Sequence, residues 1–176
     1  MPNVRICDEE IGNRARTMNA HSRHLDWKKY DSRVQTLERR LEALLSLPQY
    51  SGDDRRLARV YVGFGRLVVD RLEPTLVTHL TRAEEYARTN VFPEELEGVS
   101  HELGIVAQQL SYQESQSGIE TDQPFLYQLL ESCTRREFAI YPATDVEPVA
   151  RMAAIGVPAD DIESVVYSVY PELRSR

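Results

Sequence analysis

Cysteine is scarce: Cys7 and Cys133 are too few and too far apart for a disulfide framework or a cysteine-based zinc site. They read as two free thiols. Long apolar runs are missing too. The longest apolar-leaning stretch, Val60 to Val69, is interrupted by Arg66 and two glycines. It falls well short of the ~18 apolar residues needed to span a bilayer, so no membrane partner is expected. The leading residues, MPNVRICDEE, lack the apolar centre of a signal peptide. The expected location is the cytoplasm, or a particle assembled there.

Catalytic signatures are equally absent. The chain contains no GxGxxG, no Walker loop, no GxSxG and no HExxH. Gly63-Phe64-Gly65 resembles a glycine loop only superficially, because no helix start or lysine follows where a phosphate loop needs it. It reads as a packing feature. No catalytic residue, cofactor or metal is assigned, and the chain is not read as an enzyme.

Lysine occurs twice, as Lys28 and Lys29, against nineteen arginines. The bias reads first as a mark of a GC-rich genome. It also has a physical consequence, since guanidinium forks pair with carboxylates and phosphates and stack on aromatic rings. The net charge of −7 is unevenly spread. Residues 1–60 hold 12 Lys+Arg and 9 Asp+Glu, whereas residues 61–176 hold 9 and 19, giving +3 and −10. Such a chain can bind an anion through one surface, or bind its own copies, basic end on acidic end.

What is present in quantity is helical periodicity. At 176 residues with 41% hydrophobic content, one domain with a small appendage is expected. A first, mostly polar helix runs from about Asp8 to Leu25. Asp31 then caps a helix ending at Pro48, with Val34, Leu37, Leu41, Leu44 and Leu45 on one face and Glu38 and Glu42 opposite. Asp53 and Asp54 open the next, with Leu57, Val60, Tyr61, Phe64, Leu67, Val68 and Leu72 as its apolar stripe. Gly63 and Gly65 inside that stripe imply close approach of a neighbouring helix. VYVGFGRLVV also reads as a strand by β-branched content. Helix is preferred, because RRLARV leads in with helical spacing and no second strand is available to pair.

Pro74 kinks the chain or starts a helix carrying Leu76, Val77, Leu80, Ala83 and Tyr86. EELEGVSHELGIVAQQLSYQES reads as one long helix with a core face of Leu96, Val99, Leu103, Val106, Leu110 and Tyr112. Gln113 to Gln123 reads as a loop or lid. Pro124 opens a helix through Leu126, Leu129, Leu130 and Cys133. A short helix ended by Gly156 and a second opened by Pro158, through Ile162, Val165 and Val166, complete the chain. The expected fold is an all-α, multi-helix bundle over residues 1–143. A short two-helix, helix-turn-helix-like appendage over 144–176 packs on or beside it. Expected core residues are Leu37, Leu41, Leu44, Val60, Phe64, Leu67, Val68, Leu80, Leu103, Val106, Leu126 and Leu129.

The strongest binding feature is the cationic segment holding Arg14, Arg16, His21, Arg23, His24, Lys28 and Lys29. Trp27, Tyr30 and two asparagines are interleaved with them. Positive charge beside an aromatic suits phosphate contact and base stacking. The segment also reads as a solvated surface or one that faces a protein partner. His21 and His24 share a helical face with Asp26 nearby, but nothing local completes a metal site. Glu94, Glu97, His101 and Glu102 can share a face, yet the Glu-to-His spacing is four and no second copy exists. Glu84–Glu85 and Asp160–Asp161 read as surface acid pairs.

Three functions are compatible. The first is a non-catalytic α-helical subunit of a larger assembly, its cationic N-terminal third touching nucleic acid or an acidic partner. Protein partners or self-association are expected with it. Ribonucleoprotein small subunits of the CRISPR type and virion connectors belong to this class, by analogy of fold type only. The second is a DNA-binding regulator using the C-terminal unit, although Asp160, Asp161 and Glu163 on its would-be reading helix oppose phosphate. The third is an enzyme with a non-local metal site around Glu97 and His101.

Overall fold

The computed structural model describes residues 31–47, 54–136 and 148–175. Seven α-helices and no strand occur among the described residues. They are α1 (Ser32–Leu45), α2 (Asp54–Leu67), α3 (Pro74–Thr89), α4 (Val99–Ser117), α5 (Gln123–Thr134), α6 (Pro148–Ala154) and α7 (Ala159–Val169). Short 3-10 turns occupy Val69–Arg71, Glu94–Leu96 and Pro171–Ser175. The all-α expectation is met.

Local chemistry accounts for the helix ends. The Asp31 carboxylate accepts from the Arg33 backbone N–H at 2.8 Å, satisfying one of the orphan donors of α1. That bond holds its carboxyl below the usual carboxylate range. Pro74 begins α3 rather than kinking a longer helix, because its fixed φ suits a first turn and its missing N–H costs nothing there. The segment expected to form one helix from Glu94 is broken at Gly98. Its φ of +78° is the left-handed region, where glycine alone avoids a Cβ penalty. A 3-10 turn therefore precedes α4 as a separate element. At the other end α4 continues to Ser117, through half of the expected loop.

Helix α2 is the hub and packs against α3, α5 and α7. Leu57, Val60, Tyr61, Phe64 and Val68 are all buried. Its two glycines face different neighbours. A Cβ on Gly63 would lie 2.6 Å from Val165 Cγ1 of α7, and one on Gly65 would lie 2.7 Å from Leu80 Cδ1 of α3. The helix reading of this segment and the close approach of neighbours both hold.

Two expected core residues lie elsewhere. Leu67 is 38% exposed at the end of α2, and Val68, between α2 and the 3-10 turn, is buried instead. On α4 it is Ala107, at 1% exposure, that is fully buried, and Val106 is only half-buried. Glu38, expected opposite the apolar face of α1, is buried at 7% exposure.

The C-terminal pair α6–α7 packs on α1 and α2. Val149, Met152, Ile162, Val166 and Tyr170 join the same apolar cluster as the bundle helices. Arginines fasten this side. Arg56 donates to the Val169 carbonyl at 2.6 Å and to Glu172 at 2.8 Å, and lies 4.2 Å over the Tyr170 ring. It thereby satisfies a terminal carbonyl of α7 with a cation on the favourable end of the dipole. Arg33 reaches Asp160 at 2.6 Å. Arg71 reaches the Ile155 carbonyl at 2.8 Å and Asp122 at 3.3 Å. Arg151 bonds Gln128 of α5. The exposed pairs among these contribute little energy and mainly fix orientation.

Candidate functional site

Of the sequence-derived binding residues, Arg14, Arg16, His21, Arg23, His24, Trp27, Lys28 and Lys29 lie outside the described residues, as does the His21–His24–Asp26 group. The described part bears on them indirectly. Within residues 31–60, Arg33, Arg40, Arg56 and Arg59 all donate to groups of the body: Asp31 and Asp160, the Leu173 carbonyl, Val169 with Glu172, and the Ala87 carbonyl. Four of the six arginines between Asp31 and Val60 are therefore engaged by the body, two of them, Arg33 and Arg56, by carboxylates. In the sequence, residues 14–29 hold five Lys+Arg against Asp26.

The acid groups are placed as follows. Glu84 pairs with Arg66, and Glu85 accepts from Arg82. Asp160 meets Arg33, and Asp161 is exposed in the first turn of α7, where the helix dipole favours it. The outward positions of α7 include Asp160, Asp161, Ser164 and Ser168, while Ile162 and Val166 are buried. Glu97 and His101 do not share a helical face. The break at Gly98 separates them, and Glu97 turns to Arg136 at 3.4 Å. Among the described residues, no three metal-type side chains gather to hold an ion.

Among the described residues, an open groove of about 520 Å³ lies between the start of α4 and the end of α5. Phe92, Glu97, His101, Ile105, Glu131 and Arg136 contribute to its lining. A Cβ on Gly104 of α4 would lie 3.5 Å from the Glu131 carboxyl carbon of α5, in ordinary van der Waals contact. The groove's charges are matched, Glu131 with Arg135 at 2.8 Å and Glu97 with Arg136. Arg136 also lies 5.5 Å over the Phe92 ring, which meets Tyr86 edge-on at 5.2 Å.

The groove runs into the outer face of α4. Ile105 is 42% exposed, and Tyr112, expected on the core face, is instead 63% exposed; their seven-residue spacing puts them on one side, away from Leu103 and Ala107. Ile119 follows just past the helix at 66% exposure. Between Leu103 and Ser117 the sole charged residue is Glu114, which is buried. Its carboxylate accepts from the Thr121 backbone N–H at 2.6 Å and from the Thr121 hydroxyl at 2.7 Å. Those bonds tie the connector back onto the helix end, so the expected lid is a short, pinned turn. Sequence periodicity missed this face because α4 carries apolar residues on both sides; the signal was the run without charge.

Cys133 is buried within α5, and burial pushes its thiol pKa far up. No helix is long and apolar enough to cross a membrane among the described residues. The chain matches no family model, no curated protein and no solved structure.

Proposed function

We infer that the protein is a non-catalytic helical subunit of a larger assembly, joined to its partner through the cationic leading third. The observation that carries this reading is charge segregation, +3 over residues 1–60 against −10 over residues 61–176. The internal use of Arg33, Arg40, Arg56 and Arg59 sharpens it, since it leaves residues 14–29 as the concentrated cationic element. The neutral groove and the uncharged face of α4 supply contact area of the composition found at interface centres. The DNA-regulator reading gains nothing from α7, whose outward positions include Asp160 and Asp161.

Size-exclusion chromatography with light scattering tests the reading on the full chain at low salt, alone and with single-stranded RNA or duplex DNA. The expected result is a mass above the 20.2 kDa monomer, or co-elution with nucleic acid, reversed by raising salt. A monomer that ignores both nucleic acids removes the reading.

A further inference from the structure

We propose that the outer face of α4 docks the cationic segment 14–29 of a second copy of this chain, joining copies head to tail. The inference rests on the assembly reading and names the partner.

Charge gives the first argument. From Thr89 to Thr134 the sequence holds eight carboxylates and not one lysine or arginine. Neighbouring arginines reach four of them: Arg82 meets Glu95, Arg136 meets Glu97, Arg71 meets Asp122 and Arg135 meets Glu131. Glu94 and Glu102, both exposed beside the start of α4, meet no lysine or arginine of the described residues. Segment 14–29 supplies the complement, five cations against one carboxylate.

Composition gives the second. In a chain that is 28% charged, the exposed positions Ile105, Gln108, Gln109, Tyr112, Ser115 and Gln116 carry no charge at all. A charge-depleted centre with an aromatic and a charged rim is the anatomy of a protein interface. Segment 14–29 carries matching groups. Met18, Leu25 and Trp27 suit the apolar centre, its cations suit Glu94 and Glu102, and a guanidinium suits the Tyr112 face. Length is sufficient, since sixteen residues cover ~24 Å even at the helical rise, against ~15 Å from Glu102 to Tyr112.

Topology favours a second copy over the segment's own body. The segment runs into α1, which packs on α6 and α7, whereas α4 packs on α5, and α2 stands between the two groups. A contact between unlike surfaces of identical chains is heterologous, so it propagates to a ring or an open array.

Charge exchange on the full-length protein tests the assignment. One variant combines Glu94→Arg with Glu102→Arg; the other combines Arg14→Glu, Arg16→Glu and Arg23→Glu. Wild type is expected to self-associate in a concentration- and salt-dependent way. Each variant alone should require at least about tenfold more protein to associate, and an equimolar mixture of the two should recover association. Ile105→Ser with Tyr112→Ser should weaken wild-type association without changing helical content. Self-association untouched by the α4 substitutions overturns this inference and leaves the assembly reading standing. So does a monomer that binds RNA or DNA through the leading segment. A monomer that binds nothing overturns both.

Discussion

Helices α2 and α4 are both long and both rich in apolar residues, yet they meet opposite fates. Helix α2 is enclosed by α3, α5 and α7, and its Leu57, Val60, Tyr61 and Phe64 lie in the core. Helix α4 is covered mainly by α5 and the 3-10 turn before it, and it leaves Ile105 and Tyr112 in solvent. The difference lies in small residues and charge. The two glycines of α2 admit neighbours on two sides, and from Leu57 onward only Arg59, Arg66 and Leu67 are left exposed. Gly104 of α4 lies against Glu131 of α5, and past Glu102 the opposite side is left without the charges that normally mark a solvated face. One helix is specified by packing; the other keeps a surface that its own fold does not consume.

Substitutions can break that contrast, and the largest effect belongs to α2. Phe64 is fully buried, and Phe64→Ala should cost about 3–5 kcal/mol in urea unfolding, from lost burial and the cavity left behind. A cost near that of a surface change would mean α2 is not the hub. Next comes Gly63→Ala. The added methyl meets the stiff, branched Val165, and overpacking of this kind costs about 1–3 kcal/mol. The double variant with Val165→Ala should recover most of that loss; failure to recover would place the strain elsewhere.

On α4 the expected effects are smaller. Glu114→Ala removes the acceptor for both Thr121 donors and should cost about 1 kcal/mol, with faster amide exchange at Thr121. Unchanged exchange there would show that the connector is held by other contacts. Ile105→Ser and Tyr112→Ser should shift monomer stability by no more than about 0.5 kcal/mol. A loss comparable to Phe64→Ala would mean the face is folded over within the monomer.

The Asp31 cap gives a pH-dependent companion at the edge of the fold. Its folded pKa is depressed below the ordinary 3.8, first by the Arg33 backbone N–H and then by the Arg33 guanidinium. Its stabilising contribution is therefore fully present above that value and is lost as pH falls through the lower, folded one. Asp31→Asn should flatten the acid limb of the stability profile; an unchanged limb would assign acid loss to other carboxylates.

How much of this was legible beforehand depends on distance along the chain. Asp31, Pro124 and Gly156 mark helix ends by chemistry within a few residues and read correctly from sequence, whereas Pro74 leaves a kink and a helix start both open. The break at Gly98 was misread, because glycine inside a periodic pattern is ambiguous until its φ is known. The candidate site was half legible. Its cationic member shows in composition, whereas the α4 face shows only once one of the two apolar sides has been assigned to the core.

By itself the sequence determined that the described chain is helical, where most helices begin and end, and which side of α1 and α2 is apolar. These follow from spacing and from capping groups that act over one turn. Tertiary structure alone decided that Ala107 rather than Val106 is fully enclosed, that Glu38 is buried, that Leu67 stays at the rim and that α6–α7 packs on α1 and α2. A helical period fixes the angle of a side chain about its own axis. It carries no information about which neighbour arrives at that angle, and only the packed arrangement supplies that.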